Sequence, residues 1–212
     1  RRNPVKVVVA NPPWPGEGYG ARSDVRWPHK RKDKYIEYPI YLSYTVAVLE
    51  EAGFEVSFID AIMDELDIPA FAQRVKGINP RLLMIESSTP SIRYDVQTAE
   101  AVKKALPGVT VALVGSHVSV FHRELLSENA SVDAVCRGEW EITVRELARA
   151  IDEGRKWSTV KGLSYRKDDE ILVNPDRPLI EDLDSMPFPA RHIVRDEGYR
   201  AAIYSGEKCT GM

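Results

Sequence analysis

Cysteine is scarce in this sequence: only Cys136 and Cys209 occur among 212 residues, and they lie far apart. Two isolated cysteines form neither a disulfide framework nor a zinc-binding pattern. We therefore expect no metal site built by this chain. A reducing, cytoplasmic setting is the simplest one for such a composition.

The sequence also lacks long apolar runs and a strong charge of one sign. No run approaches the ~20 residues that span a bilayer, and no signal-peptide pattern precedes the first strand-like segment. The net charge is −3, with 43% of the residues hydrophobic. We expect a sizeable core, no membrane span and no nucleic-acid partner. Because the chain starts at Arg1 without a methionine, we expect a segment of a longer protein.

Short β-branched runs alternate with helical patterns through the first 151 residues. We predict strands at 5–10, 56–59, 82–85, 110–114 and 133–136, and helices at 39–51, 69–76, 95–106, 121–127 and 141–151. Five strand–helix units in a row predict a parallel sheet with helices on both faces. We predict a flavodoxin-like, Rossmann-like doubly wound sheet of order 2-1-3-4-5.

The pattern changes after Gly154. Residues 162–166 and 171–174 flank a polar turn, which predicts a β-hairpin over 163–174. Proline and acidic residues dominate from Pro175 to Pro189, as is typical of a linker. We therefore divide the chain into a ligand-binding domain, 1–155, and a hairpin with a linker, 156–212.

Doubly wound sheets bind ligands beyond the carboxyl ends of their strands, so the loops that follow the strands contain the candidate site residues. The first such loop, 11–38, is long enough for a flap or a docking surface, although a solvated basic tip is equally compatible with its composition. Small hydroxyl residues follow the third strand and can donate and accept hydrogen bonds, or can cap the next helix through Ser91 or Thr89. The candidates in these two loops are Asn11, Pro12, Ser87, Ser88 and Thr89.

Glycines follow the fourth and fifth strands. Gly115 and Gly138 would let backbone amides approach a ligand closely, or would simply form tight turns. Their neighbours Ser116, His117 and Glu139 complete the candidate set. His117 can equally be a packed or solvated histidine, and Glu139 can equally pair with Arg137.

Several of these segments resemble the B12-binding domain of B12-dependent radical SAM proteins, and in particular the anaerobic magnesium-protoporphyrin monomethyl ester cyclase branch. The resemblance covers nearly the whole chain through motifs that are individually loose but occur in the family's order. They are Asn11-Pro12-Pro13, 41–56, Asp60-Ala61, 114–118, 132–139, 162–166 and 183–191.

The resemblance implies a cobalamin whose nucleotide tail enters between the sheet and its helices. Ser87, Ser88 and Thr89 match the hydroxyl segment along that tail. Gly115 and Ser116 match a Gly-Gly position, with serine replacing the second glycine. Gly138 and Glu139 match the last contact loop.

Two family motifs are missing from the sequence. The Asp-x-His-x-x-Gly motif that supplies a cobalt-ligating histidine is replaced by Asn11-Pro12-Pro13-Trp14, so we expect cobalamin without a histidine lower ligand. The Cys-x-x-x-Cys-x-x-Cys motif of the radical SAM barrel is also missing. We therefore expect the [4Fe–4S] cluster and S-adenosylmethionine only in a C-terminal radical SAM domain, and no catalytic residue in this chain.

Three other interpretations compete with this one. Asn11-Pro12-Pro13-Trp14 resembles the motif of amino-methyltransferases, but no glycine-rich loop precedes it. A receiver domain needs acidic residues that Ala10-Asn11 and Ser87-Ser88 do not provide. A cofactor-free, flavodoxin-like interaction module that has lost B12 binding remains open.

Overall fold

The computed structural model describes residues 5–14, 38–193 and 199. Most of the loop 11–38 and Cys209 therefore lie outside the described residues. The seven strands are β1 Lys6–Asn11, β2 Glu55–Asp60, β3 Leu82–Glu86, β4 Thr110–Val114, β5 Ala134–Cys136, β6 Leu163–Lys167 and β7 Glu170–Val173. The same described residues form six α-helices: α1 Ile40–Glu51, α2 Ile68–Ile78, α3 Ile92–Ala105, α4 Ser116–Val120, α5 His122–Glu128 and α6 Glu141–Glu153.

The strands form one sheet of order β2-β1-β3-β4-β5-β6-β7. The first five strands are parallel, in the predicted order 2-1-3-4-5. The hairpin is not a separate appendage, because β6 pairs antiparallel with β5 and β7 with β6. The flavodoxin-like prediction is confirmed. The division at residue 155 stays a prediction, and the sheet continues past it.

The helices cover both faces of the sheet and bury an apolar layer on each. Buried residues of α1 and α6, such as Leu42 and Leu147, pack on one face. Buried residues of α2, α3 and α5, such as Phe71, Val102 and Leu126, pack on the other. This double covering explains why the central strands are apolar on both sides.

Cys136 lies in the core, as its position on a central strand predicts. It is fully buried. Burial raises the pKa of its thiol to about 12, so the side chain is a protonated, packed group. Reactivity is not expected of it.

The sequence pattern missed one helix and misplaced the start of another. α4 begins directly after Gly115, where we predicted only a loop before a helix at 121–127. Five residues are too few to establish a helical period. α3 begins at Ile92, three residues before the predicted Asp95, with Ser91 as its N-cap residue. The Ser91 hydroxyl does not cap the helix but donates to Asp95 Oδ2 over 2.6 Å.

In the part of the chain that the structure describes, no helix is both long and apolar enough to cross a membrane.

Candidate functional site

A cavity of about 530 Å³ opens at the carboxyl ends of β3, β4 and β5. This volume lies in the usual range for small-molecule sites. Five of the predicted residues line it: Ser87, Gly115, Ser116, Gly138 and Glu139. The structure thus brings together residues from three separate strand ends, as expected for a doubly wound sheet.

The base of the cavity is formed by a close contact between two strand ends. Gly115 has a φ of 120°, and a Cβ atom there would lie 2.1 Å from the backbone oxygen of Ser87. Any side chain at Gly115 would therefore collide with β3 backbone. Only glycine lets the backbone at Gly115 lie this close to the backbone of Ser87. The missing side chain also leaves this end of the cavity open.

Ser87 contributes a polar group without a partner. It is 2% exposed, and its Oγ forms no hydrogen bond within the described part of the chain. Buried hydroxyl groups are nearly always hydrogen-bonded in folded proteins. Ser87 also lines the cavity, so this unpaired hydroxyl belongs to a residue beside the space that a ligand would occupy.

The loops after β4 and β5 are joined through one side chain. Ser119 Oγ donates to the backbone oxygen of Gly115 over 2.8 Å and accepts from the backbone amide of Gly138 over 3.1 Å. Ser119 thereby fixes the spacing of the two glycine loops. Sequence reasoning did not select it.

An aromatic wall faces the glycine loops. Tyr41 and Tyr44 of α1 and Trp140 before α6 line the cavity. Tyr41 and Trp140 contact edge to face with ring centroids 6.1 Å apart, and Trp140 Nε1 donates to Thr45 Oγ1 over 3.0 Å. Tyr41 and Tyr44 are three positions apart, so they lie on one face of α1. The sequence did not indicate that this face lines the cavity.

The charged groups of the cavity are carboxyls. Glu86, Glu139 and Glu141 line it, and its described lining includes no lysine or arginine. Burial raises the pKa of the Glu141 carboxyl, and the neighbouring Glu139 raises it further. Such a lining favours hydroxyl and amide donors over an anionic group deep in the cavity.

The predicted linker also contributes to the cavity. Ile180, Leu183 and Met186 line it, and the backbone amide of Ile180 donates to Glu139 Oε2 over 2.9 Å. Glu139 therefore contacts the linker, whereas Arg137 contacts Asp176 over 2.7 Å. The expected alternative, an Arg137–Glu139 pair, is replaced by these two contacts.

The other predicted residues do not line the cavity. Asn11 Nδ2 donates to Asp60 Oδ1 over 3.0 Å, between the ends of β1 and β2. Pro12 follows it and is buried. The cavity therefore lies to one side of the expected switch point between β1 and β3, because its helical walls are α1 and α6.

The remaining three predicted residues form a polar rim near Gly115. The Ser88 hydroxyl bonds to Ser91 over 2.9 Å, and His117 Nδ1 lies 3.2 Å from Thr89 Oγ1. Burial lowers the pKa of His117, whose ring packs on Phe121 at 4.8 Å. Their role toward a ligand stays a prediction.

Comparison with known proteins identifies the family of this chain. A family model described as the B12 binding domain matches residues 30–148. An uncharacterized methyltransferase of Pyrococcus horikoshii is 31% identical over 77% of this chain and 35% of its own length. The anaerobic magnesium-protoporphyrin IX monomethyl ester cyclase of Rubrivivax gelatinosus is 28% identical over 69% of this chain and 27% of its own length. The chain thus spans about a third of the length of these relatives.

Two solved structures share the fold. The radical S-adenosylmethionine methyltransferase TsrM of Kitasatospora setae, with cobalamin and a [4Fe–4S] cluster bound, superimposes with a TM-score of 0.64 at 19% identity, over 81% of this chain and 31% of its own. The cobalamin-dependent radical enzyme OxsB, with aqua-cobalamin and S-adenosylmethionine bound, gives a TM-score of 0.69 at 13% identity, over 88% of this chain and 24% of its own. The family model covers more than half of the chain, and this chain belongs to the B12-binding domain family.

Proposed function

We propose that this domain holds cobalamin by its nucleotide tail in the cavity at the ends of β3, β4 and β5. The observation that carries the proposal is the convergence of Ser87, Gly115, Ser116 and Gly138 on one cavity. These residues come from three strand ends and match the family motifs in order. The alternative of a cofactor-free interaction module is not favoured, since the chain belongs to a B12-binding family and keeps an open cavity.

The cavity fits the chemistry of a nucleotide tail in three respects. Its volume suits a small-molecule group. The buried Ser87 hydroxyl offers one hydrogen bond with no described protein partner. The tail of cobalamin carries a phosphate, which the carboxyl lining does not favour deep in the cavity, and a flat aromatic base with ribose hydroxyls, which are the parts that suit it. Tyr41 and Trp140 offer faces and edges to such a base, and the carboxyls accept from hydroxyls.

The residues of this chain bind and orient, while the cofactor provides the reactive centre. When bound, cobalamin supplies cobalt-centred chemistry such as methyl-group carriage. Ser87, Gly138 and Glu139 would hold the polar atoms of the tail, and the apolar side chains would exclude water. We infer that the cobalt receives no histidine ligand from this chain, because Asn11 stands where the family's Asp-x-His-x-x-Gly motif begins.

We further propose that the domain serves a C-terminal radical SAM domain of a longer protein. The support is that the relatives are about three times longer than the matched region. The [4Fe–4S] cluster, S-adenosylmethionine and the catalytic residues would lie there, in a methyltransferase or cyclase. A cytoplasmic location agrees with the free, buried thiol of Cys136.

Cobalamin binding can be tested directly on the 212-residue chain. The protein is incubated with hydroxocobalamin, desalted, and its visible spectrum recorded. We expect retained corrinoid at close to one per chain. Desalted protein without corrinoid absorption would refute the proposal.

Ser116→Trp locates the site within the chain. Ser116 is exposed and lines the cavity, so a large side chain there blocks the cavity without disturbing the core. We expect Ser116→Trp to lose corrinoid, while Ser127→Trp, on an exposed position of α5 outside the cavity, retains it. Equal retention by both variants would mean that the tail binds elsewhere. Gly115 is less suitable, because a substitution there also strains the fold.

A further inference from the structure

The segment 175–190, predicted as a linker, packs across the cavity between α6 and α1. We call this segment the strap. Its first residues are fixed near α6, where Arg177 Nε donates to Thr143 Oγ1 over 2.8 Å and the same guanidinium pairs with Glu146. Asp176 Oδ1 accepts from the buried Arg137 over 2.7 Å.

The end of the strap is fixed to α1. The backbone amide of Ala190 donates to the backbone oxygen of Ser43 over 3.1 Å, and Ala190 is buried. A segment held on α6 at one end and on α1 at the other must cross the groove between those two helices. That groove contains the mouth of the cavity.

The middle of the strap forms part of the cavity wall. The Ile180 amide donates to Glu139 Oε2 over 2.9 Å, and a 3-10 turn at Leu183–Ser185 follows. Ile180, Leu183 and Met186 face the cavity. Leu183 is 68% exposed, so a large part of its apolar surface is available to a ligand.

We infer that the strap is part of the binding site, and that Ile180, Leu183 and Met186 pack on the aromatic base of a nucleotide tail and slow its release. This inference rests on the proposed function. The strap supplies three apolar side chains to the cavity lining, and Tyr41 and Trp140 add aromatic rings from the helices. The strap offers apolar contact area, and the flat base is the apolar part of the nucleotide tail. The base is therefore the part that the strap side chains contact.

The strap contains a matched pair of leucines for the test. Leu183 lines the cavity, whereas Leu179 is 74% exposed and does not. Leu183→Asp should lower the affinity for cobalamin about tenfold and raise its dissociation rate, as expected for the loss of one buried apolar side-chain contact. Leu179→Asp should match the parent. Leu183→Ala should show a smaller loss of the same sign.

Cobinamide, a corrinoid without the nucleotide tail, separates contact with the tail from contact with the corrin. Equilibrium titration and competitive dissociation are measured for both corrinoids with the parent and both Asp variants. We expect cobinamide affinity to be the same in the parent and in Leu183→Asp. Hydrogen exchange of the strap amides should slow with cobalamin and not with cobinamide.

The outcomes distinguish the two proposals. A parent chain that binds no cobalamin overturns the proposed function and the strap with it. A parent that binds cobalamin, with Leu183→Asp unchanged, overturns only the strap. An equal loss in Leu179→Asp, or an equal loss toward cobinamide, also overturns it, because the effect would then not arise from contact with the tail.

Discussion

The hydroxyl of Tyr199 donates a hydrogen bond to Asp60 Oδ2 over 2.8 Å, although 139 positions separate the two residues in the chain. Asp60 ends β2 and is buried, and its Oδ1 accepts from Asn11 and from the backbone amides of Ile62 and Met63. Burial raises the pKa of Asp60. Tyr199, itself 2% exposed, therefore brings the chain beyond the strap back to the sheet edge at β1 and β2.

Tyr199→Phe should destabilise the domain. The substitution keeps the ring and removes one donor to a buried carboxyl, which costs about 1–3 kcal/mol. We expect a lower urea midpoint with an unchanged slope. Tyr94→Phe is the control, since Tyr94 is 38% exposed and should be close to neutral. An unaltered midpoint for Tyr199→Phe would show that the hydrogen bond contributes nothing to stability.

Gly115→Ala should destabilise the fold more than an ordinary loop substitution. Its Cβ would meet the Ser87 backbone oxygen, and its φ of 120° is strained for any L side chain. We expect a loss of roughly 2 kcal/mol or more in the free energy of unfolding. Gly108→Ala, where a Cβ meets nothing within 4 Å, should change it by only about 0.5 kcal/mol. Equal effects would contradict the close contact between β3 and β4.

His122 should make the domain less stable in acid. Arg137 Nη1 donates to Ser164 Oγ. Ser164 Oγ lies 3.0 Å from His122 Nδ1, which can accept the Ser164 proton only while it carries no proton itself. Burial and then the charge of Arg137 lower the pKa of His122 below its ordinary 6.5. The stability that neutral His122 contributes to the fold is therefore complete above pH 6.5 and is lost as pH falls through the folded-state pKa of His122.

His122→Gln tests this pH dependence. The stability advantage of the parent over the variant, measured by urea unfolding, should shrink between pH 8 and pH 5. The NMR titration midpoint of His122 should lie below 6.5. His192→Gln is the matched substitution at an exposed histidine, which lies against Glu50. A midpoint above 6.5 for His122 would contradict the destabilisation of its charged form by burial and by Arg137.

Glu141→Gln should stabilise the domain at neutral pH. Burial and the nearby Glu139 raise the pKa of Glu141 above 4.5. The folded protein therefore favours the protonated form of the Glu141 carboxyl. The stability that this preference contributes is lost as pH rises through the folded-state pKa of Glu141. The neutral amide avoids that loss, so the variant should exceed the parent at pH 8 and converge with it near pH 4. Glu153→Gln is the matched substitution at an exposed glutamate of the same helix.

The glycines and hydroxyl residues of the site were predictable because strand ends are local features. Ser87 and Gly115 directly follow their strands, Gly138 follows β5 after one intervening residue, and parallel strands bring their carboxyl ends to one sheet edge. Asn11 and Pro12, at the end of β1, were predicted by the same rule but do not line the cavity, and the side-chain amide of Asn11 bonds to Asp60 instead. Which strand ends share a cavity depends on where the covering helices pack.

The sequence by itself determined the first five strands, the hairpin and the glycines at the strand ends. The strands, the hairpin and the glycines follow from periodicity and turn chemistry within short windows, whereas the order 2-1-3-4-5 was chosen as one known order of doubly wound sheets. Only the tertiary structure decided that Tyr41 and Trp140 face each other and that Leu183 reaches the cavity. Leu183 lies more than forty residues beyond Trp140, in a segment whose proline and acidic content indicates only a linker. The position of Leu183 depends on hydrogen bonds that other strap residues form with Glu139 and α1. No local sequence pattern encodes contacts between such distant positions.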